Sequence, residues 1–161
     1  MREDEFERLF TEHAPGLLGF LTYRTGDRVL AEDILADTFE RVLRAGRRFD
    51  PRKASRKTWI YSIALNLVRD QARRRDAEHR AMGRVRDPEP ASLGPLEGVG
   101  TRDELARALA QLSEEEREAI ALRYGADLTV PEIARLRGEK LTTVEGRVYR
   151  GLGKLRDMLE G

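Results

Sequence analysis

The sequence predicts an all-α protein in which two small helical domains are joined by a flexible linker, and the second domain contains a helix-turn-helix. Apolar residues recur at helical spacing in both halves of the chain. The second half also contains four Ser or Thr residues that are each followed three positions later by Glu. Between the halves lies DPEPASLGPLEGVG, a Pro- and Gly-rich stretch without apolar periodicity. The predicted boundaries are residues 1–84, 85–100 and 101–161.

The composition argues against several classes of protein. With 161 residues, 40% hydrophobic and 37% charged, the chain suits two small cores better than one large core. It has no cysteine, and His13 and His79 lack partners at metal-ligand spacing, so we expect no disulfide, metal or cofactor. No apolar run approaches the ~18 residues of a membrane span, and the acidic start MREDEFE is unlike a signal peptide. We therefore predict a cytoplasmic protein.

The formal net charge of +1 hides a strong segregation of charge along the chain. Residues 1–40 carry −6, residues 41–86 carry +11, residues 87–120 carry −6 and residues 121–161 carry +2. So basic a central segment predicts a polyanionic partner there and different partners elsewhere.

Two helices are predicted before the basic segment. Apolar residues keep helical spacing over residues 3–24, with Pro15 starting a second helical piece. Asp27 can cap the next helix, which is predicted over residues 28–45 with a buried stripe of Ile34, Leu35, Phe39 and Val42. The outer face of that helix is charged and carries Glu32, Asp33, Asp37, Glu40, Arg41 and Arg44. From the residues alone, this face is most simply solvated.

The run KTWIYSIALNLVRDQARRR, residues 57–75, contains the only tryptophan of the chain and a dense arginine cluster. On a helix, one arc is predicted to pack and comprises Trp59, Ile60, Ile63, Ala64 and Leu67. The other arc comprises Ser62, Asn66, Arg69, Asp70 and Arg73. Asn66 could face an unstacked base while Arg69 and Arg73 hold the flanking phosphates. The alternative is an amphipathic helix with a buried Trp and a solvated basic face.

A basic loop, GRRFDPRKASRK at residues 46–57, separates these helices and is broken by Gly46 and Pro51. It contains Phe49. An aromatic ring beside arginines suits the capture of an extruded base, since that capture offsets the stacking energy lost on extrusion. A flexible loop that only aids solubility is the alternative.

Four predicted capping boxes divide the second domain into helices over residues 102–111, 114–124, 130–137 and 143–159. The boxes are Thr101/Glu104, Ser113/Glu116, Thr129/Glu132 and Thr142/Glu145. The last two helices form the predicted helix-turn-helix, whose inward residues are Ile133, Ala134, Leu136, Val144, Val148, Leu152, Leu155 and Leu159. The opposite face of the last helix carries Thr142, Thr143, Gly146, Arg147, Arg150 and Lys154, which can approach bases and phosphates. A generic helical hairpin is the alternative.

Four segments of the chain resemble the small, extracytoplasmic-function (ECF) sigma factors of bacterial RNA polymerase. The Trp-containing run has the family's Trp, its "IAxN" and its closing arginines. AEDILADTFERVL is similar to "AEDxxQExFxRxW", and LSEEEREAIALRYG to "LPxxxRxxxxLRYxxG". The helix-turn-helix has the family's spacing "IAxxxGxxxxTVxxRxxR". The resemblance covers residues 5–75 and 104–158 in the family's order.

The resemblance implies a subunit that selects promoters and is not an enzyme, with core RNA polymerase and promoter DNA as partners and an anti-sigma factor as a candidate inhibitor. The resemblance would place four residues near the coiled coil of the polymerase's largest subunit: Asp33, Asp37, Phe39 and Arg41. Minus-ten DNA would be bound by Phe49, Arg56, Lys57, Trp59, Asn66, Arg69, Asp70 and Arg73. The minus-thirty-five element would be read by Thr142, Thr143, Gly146, Arg147, Arg150 and Lys154. The linker would thread the RNA exit channel or serve as an inert tether.

Some residues depart from the family's pattern. Ala36 and Asp37 stand where Gln and Glu are usual, and Glu145 replaces a usual Lys. Arg137 and Glu139 stand around the turn of the helix-turn-helix where apolar residues are usual, which is expected to loosen the packing of its helices. Gly146 costs about 1 kcal/mol relative to Ala within a helix. The departures in the second domain weaken the prediction that it binds a minus-thirty-five element tightly. They do not affect the prediction that the first domain engages its partners.

The main alternative function is a helix-turn-helix regulator that binds duplex DNA without polymerase. Specific binding of the pure protein to duplex promoter DNA, together with failure to co-purify with core polymerase, would identify such a regulator. A nuclease is a weaker alternative, because the carboxylates are scattered along the chain. Divalent-metal-dependent cleavage of DNA would identify it.

Overall fold

The computed structural model describes residues 1–83 and 99–160, with only the backbone described for residues 99–103. These residues form helices and connecting turns, without a β-strand, which confirms the all-α prediction. The helices are α1 (Glu3–Thr25), α2 (Arg28–Ala45), α3 (Arg56–Ala81), α4 (Val99–Ala110), α5 (Glu114–Ile120), α6 (Val130–Arg137) and α7 (Leu141–Glu160). The predicted linker lies outside the described residues except for its last two positions, Val99 and Gly100, which begin α4.

The first helix continues through Pro15, so the prediction of a second helical piece there was wrong. Proline removes a backbone hydrogen bond from a helix, and the cost is smaller where the freed carbonyl can reach water. Pro15 lies on the exposed side of α1. Leu9 and Leu17 are buried on either side of it, and packing of both ends against the rest of the domain holds the helix in one piece.

The start of α2 matches the prediction. The Asp27 side chain accepts a hydrogen bond from the Leu30 backbone N–H at 3.2 Å, which caps the helix. Leu17, Phe20 and Leu21 of α1 are fully buried, and so is Val42 of α2. The core of the first domain therefore forms between these two helices and the inner face of α3.

The buried face of α3 is rotated away from the predicted arc. Its buried residues are Ile60, Tyr61, Ala64, Leu65 and Val68. Trp59, Ile63 and Leu67, which were predicted on the packing arc, are partly buried against the core. The difference arises because α3 contacts α1 and α2 on one side and α6 on another. This leaves Trp59 and Ile63 on the same outer face as Asn66.

Two of the four predicted capping boxes are confirmed in the second domain. Ser113 and Glu116 cap α5 reciprocally, as do Thr129 and Glu132 at the start of α6. The other two boxes were wrong, because Thr101 and Thr142 lie inside helices that begin earlier than predicted. After α5 the chain continues as a π-helical turn over Ala121–Gly125.

The two helical domains pack against each other through this π-helical turn and α1. A Cβ atom added at Gly125 would lie 3.6 Å from the Phe20 Cα, so the backbones of the two domains approach closely at this point. The Lys57 ammonium donates to the Asp127 carbonyl oxygen at 3.3 Å across the same boundary. Within the described part of the chain, no helix is long and apolar enough to cross a membrane.

Candidate nucleic-acid interface

The start of α3 sets the position of its candidate DNA-binding side chains. The Ser55 hydroxyl accepts a hydrogen bond from the Thr58 backbone N–H at 3.1 Å and caps the helix. Trp59 therefore lies in the first turn of α3, next to the basic loop. Asn66 lies two turns further along and is exposed on the outer face.

Phe49 of the basic loop packs onto this first turn. Its ring centroid lies 5.1 Å from that of Trp59, with an interplanar angle of 48°. The Arg56 guanidinium lies 4.0 Å from the centre of the Phe49 ring, a cation–π contact. Glu5 of α1 holds that guanidinium by an ion pair of 2.6 Å to Nη2. The structure thus joins three candidate residues into one cluster of aromatic rings and a guanidinium, a surface suited to hold an unstacked base.

The remaining minus-ten candidates divide into two groups. Asp70 and Arg73 lie on the outer face with Asn66, and their side chains pair at 3.2 Å. Lys57 and Arg69 point toward the second domain, where Arg69 lies 3.6 Å from the Glu118 carboxylate. Arg69, which was predicted on the arc free to meet DNA, is therefore partly covered by the second domain, and Lys57 also contacts that domain.

The charged face of α2 is open at three of the four polymerase-binding candidates. Asp33, Asp37 and Arg41 are exposed. Phe39 is only 3% exposed and makes edge contacts with the rings of Phe6 and Phe10. The burial of Phe39 confirms the apolar stripe predicted for α2, since a side chain this large and apolar is most stable within the core.

The face of α7 predicted to read DNA is partly occupied by carboxylates of its own domain. The Arg147 guanidinium pairs with Glu139 at 2.5 Å, and the Lys154 ammonium pairs with Glu116 at 2.8 Å. Thr142 is exposed, Thr143 is partly buried, and the Arg150 side chain is 60% exposed. The hydrogen bond from Lys154 holds the pKa of Glu116 below its usual value, so this carboxylate is charged at neutral pH.

Gly146 lies against a DNA-binding candidate one turn further along α7. A Cβ atom added there would lie 3.0 Å from Nη1 of Arg150, so the guanidinium lies over the glycine. A small shift of this flexible side chain would accommodate a larger residue. Nε of Arg150 also lies 3.9 Å from the Glu116 carboxylate, so Arg150 has a partner within its own domain.

The charged residues at the turn are linked by ion pairs. Arg137 contacts both Glu118 and Glu139, and Glu139 also contacts Arg147. Burial would raise the pKa of Glu139, but the hydrogen bonds from these two arginines outweigh it and lower the pKa. Ile133 and Val144 remain fully buried beneath the turn. The expected loosening was therefore wrong, because ion pairs replace the usual apolar contacts above an intact core.

Comparison with known proteins decides the family. Residues 9–78 match Sigma-70 region 2, and residues 102–155 match Sigma-70, region 4. The chain is 35% identical to the RNA polymerase sigma factor CarQ of Myxococcus xanthus over 158 residues, which cover 98% of this chain and 90% of CarQ. The ECF RNA polymerase sigma factor RpoE of Cereibacter sphaeroides is 34% identical, with 96% and 86% covered. The chain belongs to the ECF sigma factors of the sigma-70 family.

Solved structures of sigma factors share its fold. CnrH, in complex with the cytosolic domain of CnrY, matches with a TM-score of 0.75 and 26% identity, over 99% of this chain and 90% of CnrH. RpoE from Bartonella quintana, in complex with the anti-sigma factor NepR, matches with a TM-score of 0.80 and 24% identity, over 97% of both chains. This sigma factor therefore directs promoter-specific initiation by RNA polymerase, and the resemblance first seen in its motifs is confirmed.

One exposed residue of the sigma factor escaped the sequence analysis. Tyr149 is 81% exposed on α7, opposite the buried Val144 and Val148. Gly146 and Gly153 flank it one turn away on either side. The exposure of Tyr149 could have been predicted from the sequence. Tyr149 is an aromatic residue on the polar arc of an amphipathic helix, and the flanking Gly146 and Gly153 have no side chains to cover it.

Proposed function

We propose that residues 1–84 of this sigma factor form the domain that binds core polymerase and opens the minus-ten region. Residues 101–161 form the domain that reads the minus-thirty-five element in the major groove. Polymerase holds both at a fixed spacing, so binding of one raises the effective concentration of the other.

The observation that carries this proposal is the outer face of α3. Asn66 is exposed there, on the same side as the partly exposed Trp59, and Phe49 and Arg56 lie beside that ring. Aromatic and guanidinium planes stabilise a base that has left the duplex, while an amide can recognise its hydrogen-bonding edge. Duplex DNA offers no unstacked base, so this surface suits a separated strand.

The other candidates take supporting roles in this proposal. Arg73 and Asp70 lie beside Asn66, where Arg73 can contact the backbone phosphate of the same strand. Lys57 and Arg69 contact phosphates once they leave their partners in the second domain. On α7, Thr142, Thr143 and Gly146 approach base edges, while Arg147, Arg150 and Lys154 reach bases or phosphates.

The exposed Asp33, Asp37 and Arg41 of α2 are the proposed contacts with the coiled coil of the polymerase's largest subunit. Phe39 positions these three residues indirectly, because its contacts with the aromatic rings of α1 hold α2 in place. An anti-sigma factor is a further proposed partner, since the similar factor CnrH was solved with the cytosolic domain of CnrY. We place these interactions in the cytoplasm, where polymerase and promoters meet.

Transcription with reconstituted holoenzyme tests the proposal. The purified chain is mixed with core polymerase and a library of promoter fragments, and run-off transcripts are sequenced. We expect transcripts from a defined subset of promoters and none from core polymerase alone. Specific duplex binding by the isolated chain, combined with failure to co-purify with core polymerase, would instead support the helix-turn-helix regulator.

A further inference from the structure

The chain at the start of α1 contacts both ends of the basic loop. A Cβ atom added at Gly46, where the loop begins, would lie 3.0 Å from the Cβ of Met1, so Met1 lies against this end. At the other end, Oε1 of Glu5 lies 2.6 Å from Nη2 of Arg56. The start of α1 therefore holds the loop that carries Phe49, besides contributing to the core.

Arg56 links this part of α1 to the proposed base-binding surface. Its Cζ atom lies 4.0 Å from the centre of the Phe49 ring and 5.8 Å from that of the Trp59 ring. The contact with Glu5 is made by Nη2, at the edge of the guanidinium, so the cation can hold Glu5 and Phe49 at the same time. Nη1 is buried without a hydrogen-bond partner among the described residues. Within the same part of the chain, the bond to Glu5 is therefore the only hydrogen bond that orients the guanidinium.

The stability of the two helices does not explain this ion pair. Arg56 is the first residue of α3, where the helix macrodipole disfavours a positive charge. Glu5 lies in the first turn of α1, where a negative charge is favourable, but Glu3 and Asp4 offer the same charge to the same turn. Of these three acids, Glu5 is the one that reaches Arg56. What the pair adds is a fixed guanidinium beside Phe49.

Phe49 depends on such contacts because it lies in the loop between helices. An extruded base binds best to a surface that is already ordered, since ordering a loop during binding costs conformational entropy. The Phe49 ring is held by Trp59, at 5.1 Å between centroids, and by Arg56. Loss of the Glu5 pair would let Arg56 move and would weaken one of these two contacts.

We propose that Glu5 is a positioning residue for the minus-ten site: it fixes Arg56, which in turn holds the Phe49 ring in place to receive an extruded base. Glu5 acts only through Arg56. The inference rests on the proposed function of the first domain, and it extends the minus-ten site from the basic loop and α3 to the first turn of α1.

A phosphate contact by Arg56 is the alternative, and it predicts the opposite effect. Carboxylate and phosphate compete for the same donors of arginine. If Arg56 binds a phosphate, Glu5→Gln should release it, strengthen DNA binding and steepen the salt dependence of binding. If Arg56 holds Phe49, the same change should weaken binding without steepening its salt dependence.

Binding of a fluorescent single-stranded oligonucleotide to holoenzyme separates these two cases. The oligonucleotide spans the minus-ten element of a promoter that wild-type holoenzyme transcribes, and anisotropy gives its affinity. We expect Glu5→Gln to weaken binding about threefold, the size of one exposed cation–π contact. Glu3→Gln removes the same charge from an exposed position of the same helical turn and should not weaken binding. Circular dichroism checks that both variants are folded.

Abasic oligonucleotides distinguish positioning from a general loss of stability. Each base is removed in turn, and the position at which the wild type loses most affinity marks the captured base. At that position Glu5→Gln should cause no further loss, because no base is left for Phe49 to receive. At the other positions the loss of about threefold should remain. In an Arg56→Gln background, Glu5→Gln should change affinity no more than Glu3→Gln does.

An affinity of Glu5→Gln at or above that of Glu3→Gln would overturn the proposal, as would a loss that persists at the abasic position. Wild-type holoenzyme distinguishes this failure from failure of the proposed function. If the wild type transcribes specific promoters and one abasic position weakens its binding, the function stands and only the positioning role is wrong. If it directs no promoter-specific transcription, or if no abasic position weakens its binding, the proposed minus-ten function fails and the positioning role fails with it.

Discussion

The two DNA-binding faces differ in how their polar groups are engaged before DNA arrives. On α3, Asn66 is exposed and the Phe49–Arg56–Trp59 cluster is assembled beside it. On α7, Arg147 and Lys154 are paired with Glu139 and Glu116. Stacking on Phe49 and Trp59 and hydrogen bonding to Asn66 require no exchange of ion pairs. Arg147 and Lys154 of α7 exchange ion pairs within the protein for ion pairs with phosphate, as Arg69 of α3 also does. The first domain is therefore expected to supply more of the net binding energy.

Removing the aromatic platform of the first domain should have the largest effect. Trp59→Ala is expected to weaken binding of a single-stranded minus-ten oligonucleotide to holoenzyme by about 3 kcal/mol, since it removes a stacking surface. Tyr149→Ala is the matched aromatic truncation on α7 and should leave that binding unchanged. Fluorescence anisotropy gives both affinities, and circular dichroism checks that each variant is folded. Equal losses of binding affinity in the two variants would contradict the proposed difference between the faces of α3 and α7.

Arg150 provides the corresponding test of the second domain. Its side chain is 60% exposed, and its guanidinium lies against Gly146. Arg150→Ala should cost about 2 kcal/mol, selectively at one position of the minus-thirty-five element. Competition among promoters with single base changes measures this selectivity. A uniform loss across all sequences would assign Arg150 to a phosphate instead.

Releasing Arg147 should strengthen the weaker face slightly. Glu139→Gln removes the carboxylate that holds Arg147, and we expect binding to minus-thirty-five DNA to improve by about 0.5 kcal/mol at low salt. The salt dependence of binding should steepen, because a freed arginine releases a counterion when it binds phosphate. The same change should lower the melting temperature, since Arg137 also loses a partner. A salt slope equal to that of the wild type would show that Arg147 contacts no phosphate.

Acid should affect the second domain through Glu116. Its pKa is lowered in the folded state by the hydrogen bond from Lys154, so this contribution to stability is present above the ordinary value of 4.5 and is lost as pH falls below it. Lys154→Met should reduce the difference in unfolding free energy between neutral pH and pH values below 4.5. Urea unfolding across this range measures the effect, and identical pH profiles for the variant and the wild type would contradict it.

Local features of the fold could be predicted from the sequence. The bounds of α2 and α6 and the caps formed by Asp27, Ser113 and Thr129 depend on side chains bonding to backbone within a few residues. The caps expected at Thr101 and Thr142 failed because the motif alone does not say where a helix begins. Spacing of this kind predicts that a helix exists better than it predicts its first residue.

Features that depend on docking could not be predicted from the sequence. The pairing of Arg69 with Glu118 joins residues 49 positions apart in different domains. Arg24 and Glu118 are 94 positions apart. The orientation of α3 also depends on its neighbours, because several packed helices compete for its faces. Helical periodicity gave Asn66 its correct outward position but could not show which basic residues the second domain would cover.

Promoter opening by holoenzyme tests the role of the α3 face most directly. A 2-aminopurine base in the minus-ten element reports strand separation, and a pull-down measures binding to core polymerase. We predict that Asn66→Ala lowers the amplitude of opening while polymerase binding stays at the wild-type level, and that Gln71→Ala, an amide lost from another side of the same helix, changes neither. Equal loss of opening and polymerase binding in Asn66→Ala, or opening at the wild-type level, would contradict the proposed role of this face.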